Sequence, residues 1–199
     1  MRQYLIILVC ALLSACAAGN ANFTYAPGVE SISVWNGEHI PLERDWQYLD
    51  TTRVSVQGTL WNSYLPVTDT METMLFTRPS QAGEEVLLIS RVLKVHAWST
   101  FIFLGGTKAE LGTRLYRHNF YELRADTTNA EYRNYFSILQ TAGTAVAASY
   151  TAEVWDRLPL DTILVRVMHL RPGTAANTLP AYAKLYPQER FEPLLRIRD

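Results

Sequence analysis

Two segments of the chain are apolar at both odd and even positions, and this pattern constrains the fold more than any other feature. They are residues 84–95 (EEVLLISRVLKV) and 161–170 (DTILVRVMHL). Because successive side chains of a β-strand point to opposite faces of the sheet, a strand with this pattern is buried on both sides. The sequence therefore predicts a sheet whose two central strands need a cover on each face.

Between these segments the hydrophobic period changes, which predicts a helix over residues 129–141. Thr128 and Glu131 have the spacing of a capping box at its start. Apolar side chains then follow at helical spacing: Tyr132, Tyr135, Phe136 and Leu139. We therefore predict the α+β class, a mainly antiparallel sheet with one long amphipathic helix packed on one face. The N-terminal segment or a partner protein would cover the other face.

Two arginines interrupt the apolar faces of the central strands. Arg91 alternates with Ile89 and Leu93. Arg166 alternates with Leu164. A buried charge without a partner is very costly, so each arginine must pair with a carboxylate, reach solvent, or face an anionic ligand or partner.

If the two strands are neighbours, both guanidinium groups are expected on one face of the sheet. Either an acidic side chain, Glu122 or Asp156, then lies within hydrogen-bonding reach and the arginines are structural. Or Arg91 and Arg166 line a candidate site for an anion or a partner protein. The sequence leaves these alternatives open.

A search for catalytic motifs gives no candidate. The chain has no Gly-x-Ser-x-Gly motif around a nucleophilic serine. Its four histidines lack the spacing of a zinc site, although their positions in strands leave open whether they converge in space. We therefore predict no catalytic residue, no metal and no cofactor, and expect a non-enzymatic protein.

The first residues indicate export. An apolar run, Tyr4 to Leu12, follows a single positive charge at Arg2. The run is shorter than the roughly 20 apolar residues that a membrane-spanning helix requires. A short apolar run followed by small residues is typical of a cleaved signal peptide.

The run ends in Leu13-Ser14-Ala15-Cys16, which resembles the lipobox of bacterial lipoproteins. The resemblance implies cleavage before Cys16, a diacylglyceryl thioether on Cys16, and acylation of the new amino terminus. It divides the chain into a cleaved lipoprotein signal peptide (1–15), a lipidated cysteine with a flexible tether (16–22), and a single α+β domain (23–199). An ordinary secretory signal cut near residues 17–19 is the alternative.

The expected function follows from the predicted export and lipidation and from the charge of the chain. Lys and Arg number 18 against 19 Asp and Glu, so we expect no nucleic-acid partner. The mature chain resembles small bacterial envelope lipoproteins, a resemblance that carries over no activity. We expect a protein that is anchored to the membrane through lipid and has an interaction or assembly role with an envelope protein partner. If the cell is Gram-negative, Ala17 in place of Asp after the lipidated cysteine implies the outer membrane, on its periplasmic or surface face. The alternative is a binding module for an envelope glycan or an anionic ligand.

Overall fold

A computed structural model describes residues 23–58, 67–94, 100–103, 106–127, 129–173, 179, 185–186 and 195–198. The chain divides into two compact units, residues 1–44 and 45–199, where the sequence analysis expects one domain from residue 23. The signal peptide, Cys16 and the tether lie outside the described residues.

The described part of the first unit contains a β-hairpin. Strand β1 (Ser31–Trp35) pairs in antiparallel register with β2 (Glu38–Pro41). Asn36 and Gly37 connect the strands with φ angles of 38° and 75°. Two consecutive positive φ angles are what a tight hairpin turn requires, and the Asn-Gly pair adopts them at low cost.

The second unit contains an eight-stranded mixed sheet. Its strands are β3 (Gln47–Gly58), β4 (Val67–Ser80), β5 (Gly83–Leu93), β7 (Thr107–Leu111), β8 (Arg114–Arg124), β9 (Ser149–Leu160), β10 (Ile163–Pro172) and β11 (Leu185–Tyr186). Two further strands, β6 (Thr100–Phe103) and β12 (Leu195–Arg198), form a separate antiparallel pair.

The order across the large sheet is β11-β8-β9-β10-β5-β4-β3, with β7 also paired to β8. Strand β7 pairs with the Arg114–His118 half of β8, and β11 pairs with the following half at Phe120 and Tyr121. The β11–β8 pairing is parallel, whereas the others are antiparallel. The central neighbours β5 and β10 are the two strands that the sequence predicts to be buried on both faces, and this prediction is confirmed.

Helix α1 (Ala130–Thr141) connects β8 to β9 at the predicted place. Its N-cap is Asn129, whose Oδ1 accepts hydrogen bonds from the backbone N–H groups of Glu131 (2.9 Å) and Tyr132 (3.4 Å). Thr128, the predicted cap, lies outside the described residues. The four apolar side chains predicted for the helix, Tyr132, Tyr135, Phe136 and Leu139, are all buried in the core.

The predicted α+β class is wrong. The structure is mostly β-sheet, and the helix found among the described residues has only twelve residues. Much of the strand content lies in residues 47–80, which form two strands of twelve and fourteen residues. These strands contain many Thr, Ser, Asp and Glu residues, and these polar residues conceal the alternation on which a strand prediction depends.

We name the two faces of the large sheet by their relation to α1. The helix face carries the core side chains that pack with α1, among them Leu75, Leu88, Val154 and Met168. The opposite face carries Phe76, Ile89, Val165 and Val167, which are also buried.

Among the described residues, no helix is long and apolar enough to cross a membrane.

Candidate functional site

Arg91 and Arg166 lie on opposite faces of the sheet. Strands β5 and β10 are antiparallel neighbours, as the hypothesis of a shared site requires. In their register, however, Arg166 is opposite Ser90, and Arg91 is opposite Val165. Since adjacent residues of a strand point to opposite faces, the expectation that both guanidinium groups share one face is wrong.

Arg166 lies on the helix face and pairs with Asp156 of β9. Its Nε donates to Asp156 Oδ1 at 2.7 Å, and its Nη2 donates to Oδ2 at 3.2 Å. Burial lowers the pKa of Arg166, but the charge and hydrogen bonds of Asp156 outweigh this effect and leave the pKa raised. Of the two acids predicted within reach of the arginines, Asp156 is confirmed as the partner of Arg166.

This ion pair belongs to a polar row that crosses the sheet on the helix face. Each member is the direct register partner of the next, from β3 at one edge to β7 at the other. The members are Thr52, Thr73, Ser90, Arg166, Asp156, Arg117 and Lys108. The row therefore places hydroxyl groups at the β4–β5 side of the buried ion pair and further cations at its β8–β7 side.

The hydroxyl group of Tyr135 on α1 contacts the hydroxyl groups of the polar row. Its hydroxyl lies 2.9 Å from Thr73 Oγ1 and donates to Glu131 Oε1 at 3.2 Å. Thr73 Oγ1 is in turn 2.8 Å from Ser90 Oγ. Burial raises the pKa of Tyr135, and the charge of Glu131 raises it further, so the hydroxyl keeps its proton and remains a donor. Because the members of this buried network are hydrogen-bonded to one another, the network fixes the position of the helix on the sheet.

Arg91 lies on the opposite face and pairs with Glu72 of β4. Arg91 Nη2 donates to Glu72 Oε2 at 2.7 Å, and Arg53 Nη2 of β3 lies 2.8 Å from Glu72 Oε1. The Glu72 carboxylate thus bridges Arg53 of β3 and Arg91 of β5, the strands on either side of β4. Both arginines singled out by the sequence have a carboxylate partner, which favours a structural role for Arg91 and Arg166 over a shared anion site.

The opposite face also holds a group that the sequence analysis misses, which we call the imidazole–carboxylate cluster. It combines two histidines, two glutamates and two arginines from five neighbouring strands: Arg78, Glu85, His118, Glu153, His169 and Arg171. The signal was available, because His169 interrupts an apolar face of β10 in the same way that Arg166 interrupts the other face.

Two carboxylates organise the cluster. Glu85 Oε2 accepts hydrogen bonds from Arg78 Nε and from His169 Nε2, each at 2.9 Å. Glu153 Oε1 lies 2.9 Å from His118 Nε2, and its Oε2 accepts from Arg171. Since a carboxylate only accepts, each imidazole donates from Nε2.

Aromatic rings enclose the histidines. The ring of Trp46 meets His169 edge to face at 5.4 Å, and the Arg78 guanidinium lies 4.4 Å from the centroid of the same indole. The ring of Trp155 stacks on His118 at 4.9 Å. These contacts agree with the role of tryptophan as an apolar body with a defined orientation.

The pKa values of Glu85 and His169 are both lowered in this environment, for different reasons. Burial raises the pKa of Glu85, but hydrogen bonds from His169 and Arg78 outweigh it, so the net pKa is lowered. For His169, burial lowers the pKa; the hydrogen bond that it donates to Glu85 raises the pKa, and the net result is a lowered pKa. At neutral pH the contact is therefore a hydrogen bond from a neutral imidazole to an ionised carboxylate.

The cluster is suited to holding or releasing a proton. Within the part of the chain that the structure describes, no three His, Cys, Asp or Glu side chains lie in an arrangement that could hold a metal ion. Ser90 is buried, and its hydroxyl group is hydrogen-bonded to that of Thr73.

Comparison with known proteins finds no similarity on which to draw. No family model matches the chain, and neither a curated protein nor a solved structure matches it significantly.

Proposed function

We propose that this protein is a lipid-anchored component of the cell envelope that acts by binding another envelope protein rather than by catalysis. The observation that carries the proposal is the closeness in sequence of the lipobox-like Leu13-Ser14-Ala15-Cys16 to the first residues that the structure describes. Phe23, the seventh residue after Cys16, is buried, and Thr24 pairs with Ser33 of β1. Seven residues span at most about 25 Å, so a lipid on Cys16 would hold the β1–β2 hairpin near the membrane surface.

The interaction role draws its support from the edge of the large sheet. Strand β3 stands at the end of the strand order, and among the described residues it pairs with β4 alone. It is twelve residues long. An edge strand of this length offers backbone N–H and C=O groups to which an extended segment of a partner can add as a further strand.

The anchor is tested by detergent partitioning of the full chain expressed in a bacterial host. Replacing Cys16 by Ser removes the thiol that would receive the lipid, so the protein should move from the detergent phase to the aqueous phase. Cys10→Ser is the matched control, because Cys10 lies within the predicted signal peptide and should not be needed for lipidation. Equal partitioning of the two variants would contradict the proposal.

The partner is tested by a photo-crosslinking amino acid placed at Thr51 on β3, with Ser137 on α1 as the control position. Both side chains are exposed, so either site tolerates the probe. In intact cells, the probe on β3 should give one adduct of defined mass that the probe on the helix does not give. No adduct from Thr51, or the same adducts from both positions, would argue against the sheet edge as the binding surface.

If the cell is Gram-negative, we propose an outer-membrane location, on the periplasmic or surface face, because Ala17 rather than Asp follows Cys16. The alternative function, a binding module for an envelope glycan or an anionic ligand, stays a prediction. The carboxylate partners of Arg91 and Arg166 give it no added support.

A further inference from the structure

The imidazole–carboxylate cluster is balanced in charge only while its two imidazoles are neutral. Its two guanidinium groups, Arg78 and Arg171, offset its two carboxylates, Glu85 and Glu153. A proton on an imidazole therefore adds a positive charge that no carboxylate of the cluster is left to offset. Asp45 also contacts Arg78, but its side chain is 61% exposed, and solvent screens its charge.

His169 is the histidine that lies among the charged groups of the cluster. The charged groups that face it come from each neighbouring strand of the described sheet. Glu85 of β5 accepts its hydrogen bond, and Arg78 of β4 bonds to the same carboxylate. Glu153 of β9 is its register partner, and Arg171 follows it by two residues on β10.

The burial of the groups makes an added charge costly. The side chains of His169 and Glu85 are only 13% and 15% exposed, whereas Arg171, at the rim of the cluster, is 39% exposed. His118 is more buried still, at 5%, and no described atom accepts a hydrogen bond at its Nδ1.

We propose that His169 is an acid sensor that weakens the sheet where β4, β5, β9 and β10 meet. At neutral pH its imidazole is neutral and donates to Glu85, and the cluster holds these four strands together on the opposite face. When the pH falls, His169 takes up a proton, the cluster gains an uncompensated positive charge beside Arg78 and Arg171, and this end of the sheet loosens.

The direction of the effect follows from proton linkage. An unfolded histidine titrates near 6.5, whereas burial lowers the pKa of His169 in the folded chain. Between these two values the unfolded state binds more protons, so stability is lost as the pH falls. A difference of one proton changes the folding equilibrium constant by at most about tenfold per pH unit. Glu85, whose folded pKa is lowered from 4.5, adds a separate loss at more acidic pH.

Urea unfolding of the full chain in a non-ionic detergent, from pH 5 to 8, tests the proposal. For the wild type, the folding equilibrium constant should fall several-fold as the pH drops from 6.5 to 5. His169→Gln keeps a donor for Glu85 and should flatten this dependence. His39→Gln is the matched control, because His39 is exposed on β2 and its loss should leave the slope as in the wild type. If His169→Gln retains the full slope, the proposal is wrong.

A second measurement keeps the test decisive even if His169→Gln fails to fold. In the wild-type protein, the imidazole resonance of His169 can be assigned through its contact with the Trp46 ring. Its chemical shift should titrate with a midpoint below 6.5. A midpoint at or above 6.5 would overturn the assignment of His169 as the sensor.

Discussion

Asp156 lies directly opposite Arg166 across strands β9 and β10, with 2.7 Å between Oδ1 and Nε. The two residues are nearly as buried as the apolar residues around them, at 7% and 9% exposure. This pair occupies the centre of the polar row beneath α1. The ion pair explains why an arginine lies on an apolar strand face, and no ligand is needed to explain it.

Removing the acid should therefore harm the protein more than removing the base. Asp156→Leu leaves a buried guanidinium that cannot lose its proton, and the expected loss of unfolding free energy is about 3–5 kcal/mol. Arg166→Met leaves a carboxyl group that can take up a proton, so its loss should be smaller. The double variant should be milder than Asp156→Leu alone, because no unpaired charge remains. Urea melts at pH 7 compare the three; a double variant as unstable as the acid variant would contradict this account.

The N-cap of α1 gives a second prediction. Asn129→Ala removes the oxygen that accepts from the first-turn N–H groups of Glu131 and Tyr132, and should cost about 1 kcal/mol of stability. Ser137→Ala, at an exposed interior position of the same helix, is the control and should be neutral or slightly stabilising. Thermal or urea unfolding distinguishes them. Equal effects of the two substitutions would mean that Asn129 does not cap the helix.

Gly106 gives a third prediction, because both its backbone and its surroundings require glycine. Its φ is 102°, and a Cβ added there would lie 2.7 Å from Nδ2 of the buried Asn119. Gly143, with φ of 79° and no atom near its would-be Cβ, is the matched control for the backbone alone. Gly143→Ala should cost about 1–2 kcal/mol, and Gly106→Ala should cost more.

A double-variant cycle isolates the steric part of this effect. In an Asn119→Ala background, Gly106→Ala should cost less than in the wild type, because the atom it meets is gone. If the cost of Gly106→Ala is the same in both backgrounds, the contact with Asn119 does not explain the need for glycine.

The elements that sequence reasoning found are those with a strong local signal. Segments 84–95 and 161–170 are apolar at both odd and even positions, so β5 and β10 were predictable. Residues 129–141 have a clear helical period of apolar side chains, so α1 was predictable as well. Strands β3 and β4 were partly missed because their Thr, Ser and acidic side chains weaken the alternation. The hairpin of β1 and β2 had a readable signal in Asn36-Gly37, which the sequence analysis did not use.

The candidate sites were less predictable, because they depend on register. Parity along a strand shows that Arg91 and Arg166 interrupt apolar faces, but a shift of one residue between β5 and β10 decides whether they meet. The observed register pairs Arg166 with Ser90 and so separates the two arginines. The imidazole–carboxylate cluster draws on five strands, and no local pattern in the sequence reports which residues of distant strands become neighbours.

The central claim, a lipid anchor on Cys16, is tested most directly by the mass of the mature amino terminus. Mass spectrometry of the protein purified from bacterial membranes should give an N-terminal peptide that begins at Cys16 and carries a diacylglyceryl group and a further acyl chain. In the Cys16→Ser variant this lipidated peptide should be absent, whereas Cys10→Ser should leave it unchanged. An unmodified mature chain that begins after Cys16 would contradict the claim.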